Sequence, residues 1–168
     1  MKGMIWLPVA MAIAACTKTE PAKTDTSTLI GSAPSRDVAT ATVSAAPVSI
    51  KVYKTPQCGC CKAWVEHVQQ NGFAVEVVDM PDLSSVKTKY GVKPELQACH
   101  TAVVGDYVVE GHVPADVIMK MVKEKPAIAG IAVPGMPMGS PGMEGATKEN
   151  YDVLTFDRAG KTTAYAQR

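Results

Sequence analysis

The sequence predicts a mixed α/β domain, and three observations carry the prediction. An alternating β-rich segment, Ile50-Lys51-Val52-Tyr53, is followed at once by an apolar stripe at helical spacing. A second β-rich run, Ala74-Val75-Glu76-Val77-Val78, returns after an Asn71-Gly72 stop. Further on, two short apolar runs flank Gly105-Asp106, a two-residue hairpin signal with Gly first.

Each element follows in order. Residues 50–53 form the first strand, and Thr55-Pro56-Gln57 breaks it. A helix is expected from about Gly59 to Gln70, because Cys61, Trp64, Val65 and Val68 fall at i, i+3, i+4 and i+7. The run 74–78 then makes a second strand, parallel to the first through the crossover helix. Residues 82–90 read as a short helix with Leu83, Val86 and Tyr90 inward, closed by Gly91. Residues 101–104 and 107–110 pair as a hairpin. Pro114 opens a helix to about Lys123, with Val117, Ile118, Met121 and Val122 on one face. Trp64 belongs to the core by its stripe. The resulting order, β-α-β-α-β-β-α, is the thioredoxin or glutaredoxin order in a single domain. Residues 127–145, rich in Gly, Pro and Met, fit no regular element and read as an added loop. Residues 151–157 and 161–166 read as a C-terminal β-hairpin around Arg158-Ala159-Gly160.

The chain has 168 residues, a length for one domain plus appendages. Net charge is +1 and aromatic residues are 5%, which argues against a polybasic or base-stacking nucleic-acid binder. Residues 1–15 read as a signal peptide: Lys2 supplies the positive start, and the apolar run behind it is too short to span a bilayer as a helix. The run ends in Ile13-Ala14-Ala15-Cys16, which resembles a bacterial lipobox with Cys16 as the acylated residue. Acylation would anchor the chain to a bacterial membrane and leave the mature protein in the periplasm, where disulfides are tolerated. Residues 16–48, dominated by Thr, Ser, Ala and Pro, cannot bury enough surface to offset ordering entropy. They read as the lipid-anchored disordered linker to a folded domain at 49–168.

The chemistry gathers in five Cys, three His and nine Met. Cys58-Gly59-Cys60-Cys61 lies between the first strand and the first helix, with Cys58 and Cys61 at C-x-x-C spacing. A helix N-terminus favours a thiolate, the form that is both nucleophile and metal ligand. A dithiol exchanger needs two sulfurs here, and Cys60 adds a third. The segment from Tyr53 to Cys61 looks like a glutaredoxin active-site region. The loop facing it in that fold carries a cis-Pro before the third strand. Here that loop reads Ala98-Cys99-His100-Thr101, with His100 in the Pro position, which tells against ordinary disulfide exchange.

Strand direction brings His112, just after the fourth strand, to the same pole. An extended 127–133 segment is long enough to return Met136 and Met138 there at about 3.3 Å per residue. Thiolate, thioether and imidazole together form a soft set suited to Cu(I). His67 shares a helix face with Cys60 but is separated by about 10.5 Å of helical rise, so it reads as a surface residue.

Cys58-Gly59-Cys60-Cys61, Ala98-Cys99-His100, Gly111-His112-Val113-Pro114 and the Met loop from Ala132 to Glu144 resemble a bacterial family of exported metal-binding proteins. That family includes the copper-resistance protein CopG. The resemblance implies a thioredoxin-like fold whose Cys-rich helix start binds copper, with copper tolerance and copper redox activity. It implies Cys58, Cys60 and Cys61 as ligands, joined by Cys99 and by members of the set His100, His112, Met136, Met138 and Met143. Implied partners are copper ions and other periplasmic copper-handling or electron-transfer proteins. Two alternatives stand beside this reading. One is a thiol–disulfide oxidoreductase with Cys58 attacking and Cys61 resolving. The other is a redox-silent metal sponge or Zn²⁺ site.

Overall fold

The computed structural model describes residues 46–168. The predicted signal peptide, Cys16 and nearly all of the predicted linker lie outside the described residues. Among the described residues, no helix is long and apolar enough to cross a membrane.

Strand β1 (Val48–Lys54) leads through Cys58 into helix α1 (Gly59–Gln70), and β2 (Phe73–Asp79) returns parallel to β1. Helix α2 (Ser84–Lys89) and a single 3-10 turn, Pro94–Leu96, precede the hairpin of β3 (Thr101–Val104) and β4 (Tyr107–Glu110). Strand β3 runs antiparallel to β1. Helix α3 (Ala115–Glu124) follows, with Pro114 as its cap residue. Strands β5 (Gly130–Ala132), β6 (Asp152–Phe156) and β7 (Thr162–Gln167) complete one seven-stranded sheet in the order β2-β1-β3-β4-β5-β6-β7.

The central strands β3, β4 and β5 are covered on both faces, which follows from alternation along them. Val109 and Ile131 face the larger core with Trp64, Val68, Val117, Ile118 and Met121 from α1 and α3. Val108 and Ala132, one residue along, face a smaller cluster with Val92, Leu96 and Phe156. The α1 stripe expected from spacing is buried in full: Cys61, Trp64, Val65 and Val68. Complete burial of each Val or larger apolar side chain contributes about 1.5–3 kcal/mol, so this stripe sets the helix against the sheet.

The structure corrects two readings and adds one element. Residues 127–145 do contain a regular element, the three-residue strand β5, which pairs parallel to β4 and antiparallel to β6. The terminal hairpin is therefore part of the main sheet. Gly130 reads as a breaker in sequence, but here it permits close approach. A Cβ there would sit 2.2 Å from the Val108 carbonyl oxygen and 2.8 Å from the Phe156 ring. The added element is the Pro94–Leu96 turn, which buries Leu96 and which no periodicity signals. The second corrected reading is His67, which is half-buried: its Nε2 accepts the Ala115 N–H at 3.1 Å and so satisfies one free donor at the start of α3.

This last contact yields a pH prediction. Burial lowers the His67 pKa, opposed by Glu144 and Asp116. The protonated ring has no acceptor for Ala115. The contribution of His67 is thus full above about pH 6.5, the ordinary histidine value, and is lost as the pH falls through and below it. Urea unfolding at pH 7.5 and pH 5 should show a smaller drop in stability for His67→Gln, which accepts without titrating, than for wild type.

Candidate metal centre

The C-x-C-C segment sits where β1 hands over to α1. Cys58 is the cap residue of the helix, and its Sγ accepts the Cys61 N–H at 3.3 Å. The helix thus begins with a free-donor turn pointed at sulfur, an environment that favours negative charge there. Cys58 and Cys61 are joined as a disulfide, while Cys60 and Cys99 are free thiols. Cys61 is fully buried; Cys58, Cys60 and Cys99 are half-buried.

The turn before β3 lies against this segment. Cys60 Sγ is 3.5 Å from Cys58 Sγ and 3.9 Å from Cys99 Sγ. The donor atoms of Cys58, Cys60, Cys61 and Cys99 all lie within 4.8 Å of one another. A second group, Cys99, His100 and His112, meets the same limit, so Cys99 belongs to both. His112 Nε2 is 2.9 Å from Cys99 Sγ, and His100 Nδ1 is 3.4 Å from it.

Hydrogen bonding fixes the His112 tautomer. Its Nδ1 lies 2.7 Å from the Pro141 carbonyl oxygen, which can only accept. Nδ1 therefore carries the proton, and Nε2 presents its lone pair toward Cys99. Metal-binding histidines are held in this way, with the second ring nitrogen donating to a carbonyl or carboxylate. His100 is fully buried, its ring 4.3 Å from that of Trp64 and 5.0 Å from that of His112. Its Nε2 is a buried polar atom with no partner. An orphaned buried ring nitrogen is costly unless something binds it.

The electrostatics favour uncharged ligands awaiting a cation. Burial, reinforced by the neighbouring Cys60 thiol, pushes the Cys99 pKa up to about 12, so Cys99 is protonated at neutral pH. Burial also holds His100 well below its ordinary value, helped by His112 and Lys87. His112 is lowered by burial against the opposing pull of the Pro141 carbonyl and Glu144. Both imidazoles are neutral, the form that binds metal. Sulfur and neutral imidazole at this spacing fit a soft cation.

The methionine loop reaches this pole through Pro141 and Gly142. Pro141 binds His112, and Gly142 packs on the first turns of α1. A Cβ on Gly142 would lie 2.6 Å from the Cys60 carbonyl oxygen and 2.8 Å from the Trp64 nitrogen, at a φ of +84°. Met136 is half exposed, with 50% of its surface open. Met138 is tied through its backbone to Glu149 and its methyl lies over Gly145. Met143 is half-buried, and its N–H donates to the Ser140 carbonyl. Gly142→Ala should lift the loop, withdraw Pro141 from His112 and cost about 1–3 kcal/mol. Loss of the His112 Nδ1 proton signal in NMR spectra, together with urea unfolding, checks both parts.

Two solved structures, titled copper resistance protein CopG form 1 and form 2, resemble the chain throughout this region. Each is 43% identical, with a TM-score of 0.69, and the match covers 73% of this chain and 98% of the other. The chain belongs to the CopG family. Its residues 96–143 also match a family model described as a protein of unknown function, DUF411. That span holds Cys99, His100, His112 and the methionine loop of this CopG-family chain. No curated protein matches it.

Sequence reasoning missed Glu110, Lys87, Thr101 and Pro141. Glu110 is fully buried and accepts from the Ala98 N–H at 2.8 Å, from the Thr101 hydroxyl at 2.6 Å and from Lys87 Nζ. A charged residue ending an otherwise apolar strand was the available signal for Glu110. Pro141 contributes only a carbonyl, which no side-chain pattern reveals.

Proposed function

We propose that this protein serves copper resistance by holding Cu(I) in a sulfur-rich site and handling its redox state in the periplasm. The proposed ligands are Cys58, Cys60, Cys61 and Cys99, with His112 and His100 completing the shell and Met136 and Met138 serving as outer donors. The observation that carries the reading is the convergence of four sulfurs, with the lone-pair nitrogen of His112 facing the sulfur of Cys99. The two copper-resistance relatives, similar over nearly their whole length, support copper as the metal.

We read β1 through α3 as a thioredoxin-like unit, on the parallel β1–β2 crossover and the antiparallel β3–β4 hairpin. Residues 1–15 as signal peptide and Cys16 as lipid anchor would tether the domain at 49–168 to a bacterial membrane. Other periplasmic copper-handling or electron-transfer proteins would then be its partners. Incorporation of labelled palmitate that disappears in Cys16→Ala tests the anchor.

Copper binding by Cys58 and Cys61 requires that their disulfide first take up two electrons, supplied by a thiol reductant, to give two thiols. Anaerobic Cu(I) titration of the full chain, reduced and disulfide-bonded, is the test. The reduced protein is expected to take up Cu(I) with copper–sulfur scattering in X-ray absorption spectra, and the oxidised protein to take up less. No uptake by the reduced protein defeats the reading.

The disulfide itself favours a second reading, a thiol–disulfide oxidoreductase using Cys58 and Cys61. Insulin reduction that needs no metal and survives Cys60→Ser would establish it in place of the first.

A further inference from the structure

We propose that Glu110 is a positioning residue for the metal centre: its carboxylate, through the Ala98 N–H and the Thr101 hydroxyl, fixes the turn that carries Cys99 and His100. The proposal rests on the copper-site reading given above.

The turn between Gln97 and His100 belongs to no strand or helix, so the sheet does not hold it. Two hydrogen bonds join it to the end of β4. The Glu110 carboxylate accepts the Ala98 N–H at 2.8 Å, and the Gly111 N–H donates to the His100 carbonyl at 3.0 Å. Cys99 lies between these anchors. Glu110 is held in turn on every side. Thr101 donates to its second oxygen at 2.6 Å, Lys87 donates to the first, and Lys87 also donates to the Thr101 hydroxyl oxygen at 3.2 Å. The Glu110 carbonyl accepts the Val133 N–H at 3.0 Å. Gly111 leaves no slack: a Cβ there would lie 2.6 Å from both the Ala98 Cβ and the Val133 carbonyl oxygen.

Stability alone is a weak reason for such an arrangement, because apolar side chains often replace a buried ion pair without loss. An apolar replacement could not accept the Ala98 N–H. The same short stretch, Glu110-Gly111-His112, carries both the clamp on the Cys99 turn and the imidazole that faces Cys99. The clamp therefore sets the separation between these two donors.

The test is a double-mutant cycle of Glu110→Gln with Cys99→Ser on the full-length reduced protein, read as Cu(I) affinity by anaerobic chelator competition. Glu110→Gln turns a donating NH2 toward either Ala98 or Thr101 where the carboxylate accepts from both, and should weaken Cu(I) binding about 10- to 100-fold, the range for outer partners of metal ligands. Circular dichroism should not change. The double variant should lose less affinity than the product of the two single losses, since Glu110 acts through the turn that holds Cys99. In the Cd(II)-loaded protein, Glu110→Gln should lose sulfur-to-metal charge-transfer absorption, as Cys99→Ser does.

Wild-type affinity in Glu110→Gln, or losses that multiply in the double variant, overturns the proposal. Should Glu110→Gln not fold, Thr101→Val removes the hydroxyl's bonds to Glu110 and Lys87, leaves the carboxylate in place, and runs through the same cycle under the same criteria. If Cys99→Ser binds Cu(I) as wild type does, the copper-site reading fails and the positioning role with it. If Cys99→Ser weakens binding and Glu110→Gln does not, only the positioning role fails.

Discussion

Cys99→Ser is expected to cost more Cu(I) affinity than any other single substitution at the centre. Each of the other donors belongs to one of the two groups, and Cys99 belongs to both. Removing an outer partner of a ligand already weakens metal binding about 10- to 100-fold. Replacing a thiolate by a hydroxyl, a poor ligand for a soft ion, should exceed about 100-fold on the same scale. The effect also carries a pH signature. The Cys99 thiol, pushed up to about 12 by burial and by Cys60, must release its proton to bind. Apparent affinity therefore rises with pH across the neutral range, and the slope should fall by about one proton in Cys99→Ser. Chelator competition at several pH values measures both quantities. Unfolding by urea should change little, because Cys99 is only half-buried.

Trp64→Ala is expected to give the largest loss of stability. The side chain is fully buried in the core between α1 and the sheet, and its Nε1 donates to the Val113 carbonyl at 2.8 Å. Truncating a buried Trp costs about 3–5 kcal/mol through lost transfer energy and the cavity left behind. The Val113 carbonyl loses its donor as well. A shift of the urea midpoint with little change in slope would identify this as a change in the folded state. The metal centre should feel it too, because the His100 ring packs on Trp64 at 4.3 Å. Wild-type stability in this variant would contradict the packing described.

Elements with strong local signals were legible in the sequence. Helix α1 runs from Gly59 to Gln70 as its stripe and its Asn71-Gly72 stop indicate. The β3–β4 hairpin turns at Gly105-Asp106 as expected. The meeting of Cys58, Cys60, Cys61, Cys99, His100 and His112 at one pole was legible in two steps: the likeness to a glutaredoxin active-site region set Cys99 and His100 against the C-x-C-C segment, and strand direction brought His112 there. Strand β5 was not legible, because three residues are too few to show a period and Gly130 looks like a stop. The Glu110–Lys87 pair joins residues 23 positions apart, a contact created by the sheet rather than by any local pattern. For the methionine loop, chain length gave reach to the pole. Which residues arrive there depends on backbone groups, the Pro141 carbonyl and the bare Cα of Gly142. The pairing of Cys58 with Cys61 was one option among several.

The Cys58–Cys61 bridge spans a sequence separation of only 3. In the chain-entropy account, closing so tight a ring restrains the unfolded polypeptide by about 2 kcal/mol, well under half of what a hundred-residue loop would contribute. The neighbouring helix and sheet owe their hold to apolar packing. Breaking and remaking this link is therefore a local event, and the same scaffold can persist in two electron counts without melting between them.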